Sequence, residues 1–268
     1  MILSNLHCHT TYSDGANTPK DMIKKAIDLN FKSIGISEHA QCGYDIICPE
    51  LNKEDQINYF ELLDSYKEEF PQIEIFKGLE LDSLNPTHEG KVDYAIGSIH
   101  FLKINNEIYP IDYDYEKLKE LIDICGTPKS FVIKYYEEII SFAKTTQFDI
   151  VGHLDLYNKF NEQNPLFSVK DKWHIDIINN TIEELTELNK IIEINTGAMG
   201  KGYRTEPYPD FSIFKSFKDL NAKIIVNSDS HSINTLNYGF DLIEKKLKEN
   251  NIYQIYTLTK NGFIKTDI

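Results

Sequence analysis

Along this chain, short runs of β-branched and aromatic residues repeatedly end on a histidine, an asparagine or a carboxylate. Ile2–Leu6 leads into His7, and Ser33–Ser37 is followed at once by Glu38 and His39. Ile73–Lys77 precedes Glu80, and Val92–Ile96 precedes His100. Phe148–Val151 leads to His153, Ile191–Ile194 to Asn195, and Lys223–Val226 to Asp229 and His231. Runs of this length and composition are strand signals. Between most of them the apolar positions take a helical period. Thr18 stands where an N-cap would, Pro19 suits the first helical position, and Met22, Ile23, Ala26 and Ile27 share one face. A helical stretch is also expected from Trp173 to Leu188. Strands alternating with helices imply a parallel sheet. In a closed β/α barrel the loops after every strand meet at one mouth, whereas an open doubly wound sheet gathers only those at its switch point. Polar residues follow nearly every strand here, so the pattern favours a barrel. The tail reads differently: Ile252–Thr259, an Asn261-Gly262 turn and Phe263–Lys265 predict a short antiparallel C-terminal hairpin.

No repeat, low-complexity tract or Gly/Ser linker interrupts the sequence, so a single domain over residues 1–268 is expected. The net charge of −14 argues against a nucleic-acid or anionic-membrane partner, since both require a positive surface. The first residues lack a basic stretch followed by an apolar one, and no apolar run is long enough to span a bilayer. A cytoplasmic location follows as the expectation. The cysteines (Cys8, Cys42, Cys48 and Cys125) form no CxxC pair and read as reduced thiols. Nothing in the chain indicates its oligomeric state.

His7 and His9 are two apart, so in an extended segment both imidazoles point the same way and can reach one ion. Such a pair alone is equally compatible with two structural histidines. The argument strengthens with position: His7, His9, His39, His100, His153 and His231 all fall just past expected strands, as do Asp14, Glu80 and Asp229. Core histidines have no reason to prefer the same end of successive strands. Imidazole with carboxylate suits zinc, manganese or iron better than calcium. The set is too large for one ion and would serve two or three divalent metals. Such a cluster suits hydrolysis of a phosphoester or an amide, and the residues alone do not choose between them.

His7–Gly15 followed by Ile36–His39 resembles the opening motifs of the PHP (polymerase and histidinol phosphatase) family. Gly78–Glu80, Gly97–His100, Gly152–Asp155 and Asn227–His231 resemble its later motifs in the right order, so the likeness spans residue 7 to about 231. His100 preceded by Gly-Ser-Ile, Glu193–Gly197 and Glu206–Pro209 are most similar to the monofunctional histidinol-phosphatases. The resemblance implies a distorted (β/α)7 barrel and three metal positions. His7, His9, Glu80 and Asp229 would hold the first; Glu80 would bridge to a second completed by His100 and His153; Asp14, His39 and His231 would hold the third. Glu80, Asp229 and His231 are the expected catalytic set. The implied activity is phosphomonoester hydrolysis, with histidinol phosphate as substrate and a hydroxide bridging two ions attacking phosphorus in line. Nucleotide or oligonucleotide phosphoesterase activity is the alternative within the same family. A non-catalytic metal barrel would instead require closed coordination.

Metals leave part of a phosphate's charge uncompensated, and guanidinium or ammonium groups complete the match. Arg204 and Lys201, in the glycine-rich loop from Gly197 to Arg204, are the expected phosphate partners, with Lys159 as a third. Asp155, Glu206 and Tyr203 are candidates for the cationic remainder of the substrate, though Asp155 could equally orient His153. His88, in a polar loop, reads as an exposed or lid histidine, and His174 as a surface or packing residue.

Overall fold

The computed structural model describes residues 1–41 and 50–268, so Cys42 and Cys48 lie outside the described residues. Its strands are β1 (Ser4–Asn5), β2 (Ser33–His39), β3 (Glu74–Asp82), β4 (Tyr94–Ser98), β5 (Phe101–Ile104), β6 (Glu107–Pro110), β7 (Ile150–Val151), β8 (Ile191–Asn195), β9 (Lys223–Asn227), β10 (Gln254–Thr259) and β11 (Gly262–Asp267). The helices are α1 (Pro19–Asp28), α2 (Lys53–Glu69), α3 (Tyr115–Ile124), α4 (Pro128–Thr145), α5 (Lys172–Glu187), α6 (Gly197–Gly200), α7 (Phe214–Asp219) and α8 (Phe240–Glu249). None among the described residues is long and apolar enough to cross a membrane.

Seven strands form one parallel sheet in the order β1-β2-β3-β4-β7-β8-β9. The two ends of the sheet meet: the His9 amide donates to the Ser230 carbonyl at 2.9 Å, and the Ser230 amide donates to the His7 carbonyl at 3.2 Å. The result is the nearly closed seven-stranded β/α barrel that the strand pattern and the resemblance both led to. The C-terminal hairpin also forms as expected, from β10 and β11. A second hairpin, β5–β6, was not legible, because its turn is Asn105-Asn106 instead of an Asn-Gly pair. Both turn residues take positive φ (53° and 69°), which asparagine tolerates better than most residues.

Side chains alternate across the barrel wall. Ile34 and Ile36, Leu79, Leu81, Ile192, Ile194, Ile224 and Val226 join the main apolar cluster with Met22, Ile23 and Ala26 of α1 and with Ile182, Phe214 and Ile243 of later helices. Helix α1 starts as its sequence predicted: Thr18 Oγ1 accepts from the Asp21 amide at 3.2 Å, and Asp21 accepts from the Thr18 amide at 3.3 Å. The opposite faces fill the lower barrel with Leu6, Phe76, Tyr94, Ile96, Ile150, Ile191 and Ile225, and Leu258 of β10 joins them. Gly35 and Gly78 make room for the Tyr94 side chain: a Cβ on Gly35 would come within 2.2 Å of its hydroxyl, and one on Gly78 within 2.2 Å of its ring. Each of these buried side chains contributes roughly 1.5–3 kcal/mol relative to exposure. The apolar floor anchors the strands whose upper ends carry the polar residues.

Candidate metal centre

At the upper end of the same strands the inward positions become polar. On β3, Phe76 and Gly78 give way to Glu80 and Asp82, and on β8 Ile191 gives way to Glu193 and Asn195. His7 and His9 follow β1, His39 closes β2, His100 follows β4, His153 follows β7, and Asp229 and His231 follow β9. All nine residues expected as ligands converge at this rim.

Glu80 is the hub. One carboxylate oxygen lies 3.2 Å from His7 Nε2, 3.4 Å from His9 Nε2 and 3.0 Å from His39 Nδ1. The other lies 2.9 Å from His153 Nε2 and 3.4 Å from His100 Nε2, and accepts from the Ser98 hydroxyl at 2.6 Å. Asp229 Oδ1 is 3.3 Å from His9 Nε2 and 3.7 Å from His7 Nε2. On the outer side, Asp14 lies 3.0 Å from His231 Nε2, 3.7 Å from His39 Nε2 and 3.8 Å from His9 Nδ1. Donor atoms within 4.8 Å of one another fall into three groups: His7, His9 and Asp229; His39, Glu80 and His100; and His9, Asp14, His39 and His231. His9 and His39 are thus each shared between two groups, which the assignment to separate positions did not anticipate.

These contacts are crowded yet poorly hydrogen-bonded. His7 Nε2, both ring nitrogens of His9, His153 Nδ1 and Glu80 Oε2 are buried with no hydrogen-bond partner. Orphaned buried polar atoms cost free energy, and a cluster of imidazole nitrogens and carboxylate oxygens is the donor chemistry that a divalent cation satisfies. The residues therefore fit divalent metal ions. The electrostatics agree. Burial alone would push the His7 pKa down, but Glu193, Glu80 and Asp229 raise it well above its ordinary value. His100 is raised likewise, against burial, by Glu80 and Asp82. Burial, with His39 and His231 adjacent, drops His9 to about 3. Burial would raise Glu80, yet His7, His39 and His100 hold its carboxyl well below the usual carboxylate range. His7, with Lys201, does the same for Asp229.

A supporting layer fixes these groups. Glu193, fully buried on β8, accepts at 2.8 Å from His153 N, Asn195 Nδ2 and Asn227 Nδ2, and lies 2.8 Å from His7 Nδ1. A carboxylate here holds a proton on Nδ1, so Nε2 is the nitrogen that faces the cluster and, once deprotonated, can bind a metal ion. Asp82 accepts from the His100 amide at 3.0 Å. Neither residue was singled out as a support from sequence, although a glutamate between Ile192 and Ile194 and an aspartate two positions past Glu80 are visible signals. Asp229 has φ of 47°, a left-handed conformation that aspartate tolerates better than most residues and that aims it inward. Gly197 must lack a side chain, because a Cβ there would come within 2.9 Å of the Asp229 side chain.

The cluster opens into a cleft of about 280 Å³ whose lining includes Glu50, Phe101, Asp112, Tyr113, Leu156 and Lys201. The cationic candidates divide here. Lys201 reaches the cleft, with Nζ 3.5 Å from His231 Nε2. Lys159 donates to the Asp112 carbonyl at 2.7 Å and to its carboxylate at 3.0 Å. Arg204 is buried behind the Tyr208 ring, 5.0 Å from its centroid, with Asp210 at 3.5 Å, and lines a separate cavity instead of this cleft. Its neighbours Asp210 and Glu162 draw it away from the mouth that the loop glycines suggested. Asp155 does not orient His153 through a hydrogen bond, since His153 Nδ1 has no partner and Asp155 binds Asn158 and the Asp210 amide. Burial, partly offset by Arg204, raises Asp155 to about 6. Tyr203 is partly exposed, Glu206 accepts from the Phe211 amide at 2.9 Å, and His174 is buried against Tyr157 in a packing role.

Comparison with known proteins agrees with this geometry. The family model for the PHP domain matches residues 5–197. The histidinol-phosphatase of Bacillus subtilis is 25% identical over 259 residues, covering 88% of this chain and 96% of that one. A solved structure from Listeria monocytogenes superposes with a TM-score of 0.79 at 20% identity, covering 89% of this chain and 99% of that one. The histidinol phosphate phosphatase of Lactococcus lactis, solved with zinc, L-histidinol and phosphate, superposes with a TM-score of 0.72 at 18% identity, covering 97% and 98%.

Proposed function

The chain belongs to the PHP domain family, and from that premise we propose that it is a metal-dependent phosphatase that hydrolyses L-histidinol phosphate to L-histidinol and phosphate. The observation that carries this reading is the convergence of His7, His9, His39, His100 and His153 on the two oxygens of one buried carboxylate, Glu80. His7, His9, Glu80 and Asp229 would hold one ion, Glu80, His100 and His153 a second, and Asp14, His39 and His231 a third, with zinc, manganese or iron as the candidates. Divalent ions bound there supply Lewis acidity, making water a nucleophile near neutral pH and neutralising charge on the phosphoryl oxygens.

The chain's own residues do the rest. Glu80, Asp229 and His231 would form the catalytic set: Glu80 would serve two of these ions through its two oxygens, while Asp229 lies by His9 and His231 by Asp14, on one turn after β9. Lys201 places an ammonium at the mouth, where it offsets phosphate charge. Lys159 acts by holding Asp112 on the cleft wall, and Arg204 by bracing the Asp210 and Tyr208 wall behind His153. Asp112, Glu50 and the Tyr113 and Phe101 rings give the cleft acidic and aromatic walls, suited to a substrate with an ammonium and an imidazole. A cleft of about 280 Å³ accommodates a molecule of that size. The Bacillus subtilis relative carries this activity in its name, and the Lactococcus lactis structure of the same fold holds both products of the reaction. The step would serve histidine biosynthesis in the cytoplasm.

A phosphate-release assay on protein of known metal content tests this reading, with histidinol phosphate beside neutral phosphomonoesters, nucleoside bisphosphates and short oligonucleotides. Histidinol phosphate should give the highest kcat/KM by at least about tenfold, given that the walls pair with its charges. Faster hydrolysis of nucleotides or oligonucleotides would overturn it in favour of the other family activity.

A further inference from the structure

On the outward face of β2, Ile34 and Ile36 enter the apolar layer beneath the helices, and strand alternation puts Glu38 on that same face. Glu38 is fully buried. A carboxylate in this layer is costly unless hydrogen bonds satisfy it, and an aliphatic residue would fill the position more stably. Its partners show what the charge does. One oxygen accepts from the Thr10 amide at 3.1 Å and from the Ser13 hydroxyl; the other accepts from the Thr10 hydroxyl and, at 3.2 Å, from the Tyr59 hydroxyl of α2. Three of these four donors belong to the segment between His9 and Asp14. Other bonds fold that segment on itself, from Thr11 N to Asn17 O and from Gly15 N to Thr10 O, or tie Ala16 to His231 O. None of those bonds fixes residues 10–13 against β2.

We propose that Glu38 is the positioning residue for the outer ion site that Asp14, His39 and His231 would form beside His9, clasping the loop that carries Asp14 onto the strand that carries His39. The proposal rests on the reading that this group holds a divalent ion. Asp14 is the only carboxylate of the group and the member most open to solvent. Its distance from His39 is therefore set by how firmly the loop before it is held. Glu38 and His39 are consecutive, so one strand residue supplies a ligand while the next anchors the loop bearing another.

A matched pair of variants separates this role from simple core stability. Thr10→Val and Tyr59→Phe each remove one hydroxyl from the same Glu38 oxygen, the first from the loop side and the second from the helix side. Ion affinities measured by chelator competition, with metal per chain by elemental analysis, should show one ion of the complement weakened about tenfold or more in Thr10→Val. Tyr59→Phe should leave every ion affinity unchanged while lowering thermal stability. Glu38→Gln should keep the full complement, because an amide facing the two hydroxyls can donate to both while its carbonyl still accepts from the Thr10 amide and Ser13. Glu38→Ala, checked for folding by circular dichroism, should lose that one ion. Equal effects of Thr10→Val and Tyr59→Phe on ion binding, or none from either, would overturn the positioning role. A wild-type chain that binds no ions would instead overturn the metal reading beneath it.

Discussion

The lower and upper halves of the barrel interior are built on the same strands and obey opposite rules. Below, Phe76, Tyr94, Ile96, Ile150, Ile191 and Ile225 pack on one another, and the one polar atom introduced there, the Tyr94 hydroxyl, donates to the Leu6 carbonyl. Above, one or two residues further along each strand, the interior holds imidazoles and carboxylates whose buried nitrogens and oxygens include several without partners. The floor is complete as protein. The rim is complete only with something bound, and the contrast separates residues kept for folding from those kept for chemistry.

That contrast can be broken by substitution at either level. The largest effect is expected from Glu80→Ala, which removes the shared carboxylate: metal content should fall and phosphate release should drop by on the order of a thousandfold or more, in a chain that still folds on its intact floor. Elemental analysis with a phosphate assay checks it, and retained turnover in a metal-depleted variant would refute it. Next is the floor itself. Ile96→Ala leaves a cavity among Phe76, Tyr94 and Ile150 and should destabilise the fold by about 2–4 kcal/mol in denaturant unfolding, while metal bound per folded chain stays constant.

Smaller effects sharpen the boundary between the halves. Glu193→Gln keeps shape but loses acceptors. All four partners of Glu193 point at it as donors, so in either orientation the new amide faces two of them. Metal affinity should fall roughly 10–100-fold, and Glu193→Asp should not restore it, because the shorter side chain cannot span His7 and His153. Smallest is the linkage to protons. In the metal-free chain, His7 and His100 bind protons more tightly than ordinary histidine, owing to the carboxylates that outweigh their burial. Their protonated forms therefore persist upward through pH 6.5 and compete with metal. Metal loading at neutral pH should release protons, and apparent affinity should rise with pH through that range. Loading without proton release, measured with an indicator dye, would contradict this.

Much of this was legible in the residues because each strand is short and each chemical group follows its strand closely. His7, His39, His100, His153 and Asp229 could be placed at one rim from strand order alone, as could the C-terminal hairpin from its Asn261-Gly262 turn. What depends on side-chain direction was not. Arg204 follows a glycine-rich loop toward the mouth, yet its guanidinium turns to Tyr208 and Asp210 just beyond it in the chain, with Glu162 from a distant segment beside it, an outcome set by how the loop folds back and not by its composition. Glu38 reads as a simple neighbour of His39 until alternation places it outside the barrel among isoleucines. The sharing of His9 and His39 between donor groups likewise depends on distances that no spacing encodes.

The claim underlying all of this is that the unpartnered atoms around Glu80 are a metal site. Anomalous diffraction from crystals of metal-reconstituted protein tests it most directly. The account predicts ions within bonding distance of both Glu80 oxygens, with further contacts to His7, His9, Asp229, His100 and His153. A map in which the Glu80 carboxylate touches only protein and water, with any ions bound elsewhere, would contradict it.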